Sequence, residues 1–382
     1  MLALNAEEQK RLGYFHTLRE ICQQPVTWMH TAKLMQESAP EISPLLKGIS
    51  SLVLSGSGSS EFAGDCVRMV LQRELVIDAQ SIAGGALLTH GRSAVPVGRP
   101  WLMVSIARSG DSPESVGALE LMLKTEPEFR HLVLTCNRQG SLANNFRKDP
   151  RVTVITLDES TNDRSLVMTS SFTNLVIAAR FLGLIDESGR YRSICDGLSR
   201  AAAGLLRNHF GTLAAAGKAS FGRVLFLGSG SRFAAAREAA LKMLEMTAGR
   251  VTTSCESYLG LRHGPMSAVN EETLIVGFLS TEAQARPYEL DVLRELAQKE
   301  LGLFRVIAGK DIPSDLVRPG DVLIPYDGSD DLEDDNVPVL DAIVGQILAF
   351  SRCLYEGLQP DSPSQSGVIQ RVVQSFALHL PF

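Results

Sequence analysis

The sequence predicts an α/β protein with two parallel sheets, each covered by helices on both faces, and three observations carry that expectation. The tetrapeptide Gly-Ser-Gly-Ser occurs twice, at 56–59 and 228–231, each time between a short apolar run and a helix-like stretch. Around each copy, five apolar runs of strand length alternate with helical stretches, the pattern of parallel strands joined by crossover helices. The chain has 382 residues, of which 45% are hydrophobic and 21% charged, enough for two domains with separate cores.

Residues 1–48 read as an N-terminal helical segment, with helices at 6–23 and 26–36 broken at Pro25, because no strand-like run precedes Ser50. A first domain, 49–190, follows with strands expected at 51–55, 76–81, 101–106, 131–135 and 152–156, then a helix at 170–184. Residues 189–192 read as a boundary. The second domain, 191–382, opens on a helix at 193–216. Its strands are expected at 223–227, 250–254, 273–279, 303–308 and 322–324, followed by an acidic loop at 327–335. A duplicated domain accounts for the repeat better than one long sheet.

The formal charge is −6 and Lys and Arg are not clustered, which argues against a nucleic-acid partner and leaves room for a small anionic ligand. Cys22, Cys66, Cys136, Cys195, Cys255 and Cys353 are widely spaced, with no Cys-x-x-Cys pair, so they read as reduced thiols without a metal or cofactor role. The N-terminus has no basic-then-apolar leader, and no run approaches membrane-span length. A cytoplasmic protein without a membrane partner is expected.

Each Gly-Ser-Gly-Ser is either a tight strand-to-helix turn or an anion cradle, in which backbone N–H groups and the helix dipole face a ligand. Neither copy fits the dinucleotide pattern, and no Gly-Lys-Ser/Thr follows to make a P-loop. The loop 105–115, Ser-Ile-Ala-Arg-Ser-Gly-Asp-Ser-Pro-Glu-Ser, offers Arg108, Ser109, Ser112 and the N–H groups of a helix start to a dianion. It equally reads as a capped loop with Ser112 as N-cap and Arg108 in solvent. Glu238, Lys242 and Glu245 share one helix face, either as a solvated stripe with an ion pair or as part of a site. His263, before Gly264-Pro265, reads as a loop residue or as an acid/base.

Ser-Gly-Ser-Gly-Ser-Ser at 55–60, Ala-Arg-Ser-Gly-Asp-Ser at 107–112, Met-Thr-Ser-Ser-Phe-Thr at 168–173 and Leu-Arg-His-Gly-Pro at 261–265 together resemble the sugar isomerase (SIS) domain family. The arrangement is that of a tandem pair, as in the isomerase half of glucosamine-6-phosphate synthase. The 108–115 loop and the tail Gln370-Arg-Val-Val-Gln374 look like the AgaS branch, associated with galactosamine-6-phosphate deamination and tagatose-6-phosphate isomerisation. The resemblance implies two flavodoxin-like three-layer sandwiches with five-stranded parallel sheets. It implies phosphate contacts from Ser59, Ser60, Ser109 and Ser112, a catalytic base at Glu245, a site lysine at Lys242 and a ring-opening histidine at His263. In the glutamine-dependent relatives that histidine comes from the neighbouring subunit, which implies at least a homodimer here.

Two positions depart from those relatives. Gln374 stands where they have a functional tail lysine, and Ser170 where a lysine flanks the Ser/Thr motif. With no glutaminase segment in this sequence, the expectation is an enzyme that converts galactosamine 6-phosphate to tagatose 6-phosphate and ammonia, without cofactor. A tagatose-6-phosphate ketose/aldose isomerase, a glucosamine-6-phosphate deaminase and a non-catalytic phosphosugar sensor are the alternatives.

Overall fold

The structure, a computed structural model, describes residues 4–97, 100–327, 332–374 and 376–380. Strands β1 (Ser51–Gly56), β2 (Asp78–Ala83), β3 (Trp101–Ala107), β4 (Arg130–Thr135) and β5 (Val152–Thr156) form one sheet. Strands β6 (Arg223–Gly228), β7 (Thr252–Ser257), β8 (Thr273–Leu279), β9 (Phe304–Gly309) and β10 (Val322–Pro325) form the other. The orders are β2-β1-β3-β4-β5 and β10-β9-β8-β6-β7, all pairs parallel. Counted within each sheet the two orders are the same, with the direction of winding reversing beside β1 and β6, where open α/β sheets receive ligands. The interior strands β1, β3 and β8 are buried along their whole length, as their mostly apolar runs favour, whereas the edge strands β2 and β7 are partly exposed.

By compactness the chain divides into two units. The first-sheet unit holds Val26–Asp163, Ser170–Asp196 and Ile369–Phe382, and the second-sheet unit holds Met1–Pro25, Arg164–Thr169 and Gly197–Val368. Each expected span, 49–190 and 191–382, contains one complete sheet. The N-terminal segment is shared out at Pro25, and the tail from Ile369 joins the first-sheet unit, so neither unit is continuous in sequence.

Pro25 does not break the N-terminal helix, which runs from Phe15 to Glu37. Proline removes the N–H that would bond the carbonyl of Ile21, and the Gln24 side-chain amide supplies a donor to that oxygen at 3.0 Å. The freed N–H groups at the start of this helix are met by Asp361, whose carboxylate accepts from His16 N at 3.1 Å and Thr17 N at 2.7 Å. Residues 189–192, expected as a boundary, lie inside the helix Ser188–Asn208, which is followed by a separate helix, Phe210–Gly217. Strand β2 starts two residues later than expected because Val76, left-handed at φ 54°, ends the Ser59–Leu75 helix. Strand β7 shifts likewise, after a turn with Ala248 and Gly249 at positive φ.

The helix Pro338–Tyr355 is long and apolar enough by length and composition to cross a membrane, contrary to the expectation that no such run exists. Within the unit, 89% of that window is buried. It packs on the Ser231–Met246 helix, where Gly345 leaves room for the Ala239 methyl, and it reads as a core helix. Of the acidic loop expected at 327–335, positions 328–331 lie outside the described residues.

Candidate active site

Each Gly-Ser-Gly-Ser follows β1 or β6, the strand beside the winding reversal of its sheet, and the two turns have nearly one backbone conformation. Gly58 has φ 57° and ψ −126°, and Gly230 has φ 54° and ψ −129°, a region closed to residues with a Cβ. A methyl on Gly56 would lie 2.6 Å from Ser60 O, and one on Gly228 would lie 2.5 Å from Arg232 O. The glycines therefore let each strand turn tightly into its helix, Ser59–Leu75 or Ser231–Met246.

At the first turn, Ser59 and Ser60 are buried in the opening turn of the helix. The loop after β3 brings Arg108 and Ser109 into the buried interior of the same unit, with Arg108 7% exposed. Ser109 Oγ accepts from Asp111 N at 3.2 Å, and Asn137 Nδ2 donates to Ser109 O at 2.8 Å. Asp111 in turn accepts from Ser141 N at 2.8 Å and Ser141 Oγ at 2.9 Å, which ties the loop to the next helix start. Ser112 stands at the N-cap of the helix Pro113–Thr125, yet its hydroxyl makes no capping bond. Ser57 Oγ, Ser105 Oγ and Glu114 Oε2, from the first turn, the end of β3 and the helix after the loop, are buried with no protein hydrogen bond, so each has capacity for a polar ligand or water.

Arg108 is not in solvent. Its Nη2 donates to the carbonyl oxygen of Arg371, a tail residue to which the sequence reading gave no role. Gln374, expected as the tail contact, is exposed.

The second turn is closed by its own side chain. Arg232 takes the place of Ser60 and is 1% exposed. Its guanidinium forms a bidentate pair with Asp341, at 2.8 Å from Nε and 2.7 Å from Nη2, and donates to Leu279 O at the end of β8 and Ala308 O in β9. Tyr326 Oη donates to the same carboxylate at 2.6 Å, and Asp334 lies 3.8 Å from Nη1. Burial opposes the charge of Arg232, but Asp341 outweighs it and raises its pKa, so the guanidinium stays protonated. With Glu289 Oε2 also accepting from Ser280 N at 2.6 Å, three carboxylates occupy this region, which disfavours an added anion.

The helix that starts at this turn carries Glu238, Lys242 and Glu245 on one face. Lys242 is 1% exposed, 3.5 Å from Glu238 Oε1, and its Nζ donates to Glu245 Oε2. Glu238 is fully buried, whereas the Glu245 side chain is 23% exposed. The face is thus a graded ladder from the interior to the surface, and the solvated-stripe reading does not describe it. His263 is exposed in the turn after the short helix Tyr258–Leu261, in the same unit, with its backbone N–H donating to Gly260 O at 2.9 Å. Among the described residues no group of three or more His, Cys, Asp or Glu side chains could hold a metal ion.

No protein-family model matches the chain. It is 34% identical over 372 residues to the D-galactosamine-6-phosphate deaminase AgaS of Escherichia coli, covering 95% of each chain. It is 31% identical to a protein of the same name from Shewanella sp. (strain ANA-3), covering 100% of this chain and 96% of that one. The solved structure of tagatose-6-phosphate ketose/aldose isomerase from Escherichia coli superimposes with a TM-score of 0.83 at 30% identity, covering 94% of this chain and 97% of that one. Two sheets of one topology, a serine-rich loop after β3 and full-length relatives above the 30% level agree, and the chain belongs to the AgaS family of tandem sugar-isomerase-domain proteins.

Proposed function

We propose that this chain is a phosphosugar deaminase/isomerase that converts galactosamine 6-phosphate to tagatose 6-phosphate and ammonia. The observation that carries the chemistry is the Glu238–Lys242–Glu245 ladder, which presents one partly exposed carboxylate against a buried ammonium. An aldose-to-ketose conversion needs a single base that takes the C2 proton and returns it to C1, and a positioned carboxylate does both. Glu245 is that base in this reading, and Lys242 supplies fixed positive charge beside the electron-rich enolamine. Proton return to C1 gives the ketimine; water adds to its carbon and ammonia leaves. His263 opens the sugar ring, and its exposure supports delivery to a neighbouring subunit of a homodimer. Ser59, Ser60, Arg108, Ser109 and Ser112 hold the phosphate in this reading, with Gln374 a further contact assigned by position in the tail.

The names of the full-length relatives support the substrate, and a cytoplasmic location fits a sugar-phosphate enzyme. A second reading, ketose/aldose isomerisation of tagatose 6-phosphate without C–N cleavage, is favoured by the structure from Escherichia coli that bears that name. Ammonia release from galactosamine 6-phosphate and glucosamine 6-phosphate, measured side by side with tagatose 6-phosphate isomerisation as control, separates them. Ammonia from galactosamine 6-phosphate is expected, and none from either amino sugar would sink the deaminase.

A further inference from the structure

We propose that Arg371 is a positioning residue for the phosphate loop of the first-sheet unit, acting through Arg108. The inference rests on the reading that the 105–115 loop holds the substrate phosphate. Arg371 Nε donates to Asp163 O at 2.7 Å, and its Nη2 donates to Asn162 Oδ1 at 2.6 Å. Its own carbonyl oxygen accepts from Arg108 Nη2. One residue therefore uses its side chain to grip the segment after β5 and its main chain to grip the loop after β3.

The tail is fixed again further on. Leu378 packs over Gly117 in the helix that the phosphate loop starts, where a methyl would lie 2.8 Å from Leu378 Cδ1, and Leu380 packs on the cluster around Trp101 and Met103. The tail thus holds the loop upstream, at Arg108, and its helix downstream, at Gly117. Arg108 is buried, and the acceptor for its Nη2 is a carbonyl placed by another arginine's side chain. A guanidinium is a rigid planar fork, so an anchor on one nitrogen restricts the directions of the others. Donors fixed in advance bind a dianion without the ordering cost that mobile ones incur. Removing the Arg371 side chain loosens the tail carbonyl and withdraws one of the anchors of the Arg108 fork.

The test compares full-length wild type with Arg371→Gln, Arg371→Lys and Asn162→Ala. The measurements are kcat and KM with galactosamine 6-phosphate, inorganic-phosphate binding by calorimetry, and thermal unfolding. Arg371→Gln is expected to weaken phosphate binding and raise KM by about tenfold or more, the size of one lost charge-assisted hydrogen bond, with kcat much less affected. Asn162→Ala should move both quantities the same way by less, and Arg371→Lys should recover part of the loss. A wild type that binds phosphate, paired with an Arg371→Gln variant of unchanged phosphate affinity, overturns the inference alone. Parallel falls in kcat and melting temperature in all three variants, accompanying the rise in KM, overturn it in favour of a structural role. A folded wild type that binds no phosphate overturns the loop reading and this inference with it.

Discussion

The two Gly-Ser-Gly-Ser turns share a backbone and differ in the residue next to the second serine. Ser60 in the first leaves the end of its sheet lined by serine hydroxyls, some without protein partners nearby, whereas Arg232 in the second fills the corresponding place with a buried ion pair. The same contrast recurs two strands further along each sheet. The second residue of β4 is His131, fully buried with neither ring nitrogen bonded, and its counterpart in β9 is Arg305, equally buried but bonded to Asp321, Leu293 O and Leu316 O. Duplication kept the frame, and the polar groups inside it diverged: in the second-sheet unit the arginines at these two places are bonded to carboxylates and carbonyls, although Ser231 Oγ and Glu289 Oε1 have no hydrogen bond, and in the first-sheet unit Ser57 Oγ, Ser105 Oγ and both His131 nitrogens have none.

The largest expected effect breaks the chemical half of the contrast. Glu245→Gln should lower kcat by about 10²- to 10⁴-fold while sugar-phosphate binding persists, as turnover assays and calorimetry on one preparation would show. Retained turnover would remove Glu245 from the base role. Next is Arg232→Ser, which makes the second turn resemble the first in sequence. It strands Asp341 without its counter-ion and should cost about 3–5 kcal/mol in denaturant unfolding. A change below about 1 kcal/mol would mean that the sealing pair contributes little.

The third concerns His131, which burial first and then Arg151 push down from 6.5 to about 4. Between those values the unfolded chain binds a proton that the folded chain refuses, so stability rises with pH through that window and is lost on acidification. Relative to His131→Leu, the wild type should lose up to about 3 kcal/mol on going from pH 7 to pH 4. Equal pH profiles for the two proteins would show that the histidine is solvated or paired. The smallest effect sharpens the binding half: Ser109→Ala should raise KM by about tenfold, with stability within about 1 kcal/mol of wild type. An unaltered KM would move the phosphate contact elsewhere.

Strand positions in the middle of each sheet were legible because they are short apolar runs ended by glycine turns, and such runs have few other ways to be buried. Three features were not. The continuity of the helix through Pro25 depends on one amide, Gln24, reaching a carbonyl that periodicity cannot see. The charge of Arg232 reads as a surface feature until Asp341 and Tyr326, distant in sequence, are placed beside it. In the tail, the likeness to relatives drew attention to Gln374, while Arg371 makes the contacts, and its partners Asn162 and Asp163 lie far upstream. The Glu238, Lys242 and Glu245 spacing was visible at once, but its gradient from buried to exposed required the packed helix.

Asp361, which meets the first N–H groups of the Phe15–Glu37 helix, also sets an order on synthesis. The segment up to Pro25 is made before the strand Val322–Pro325 and the helix Pro338–Tyr355 of the unit to which it belongs. At ordinary translation rates the wait is on the order of tens of seconds. During that time the first-sheet strands can already pair, while the apolar side chains of the leading segment, Ile21 among them, must be kept from other partners. A segment made early must wait for partners made about three hundred residues later.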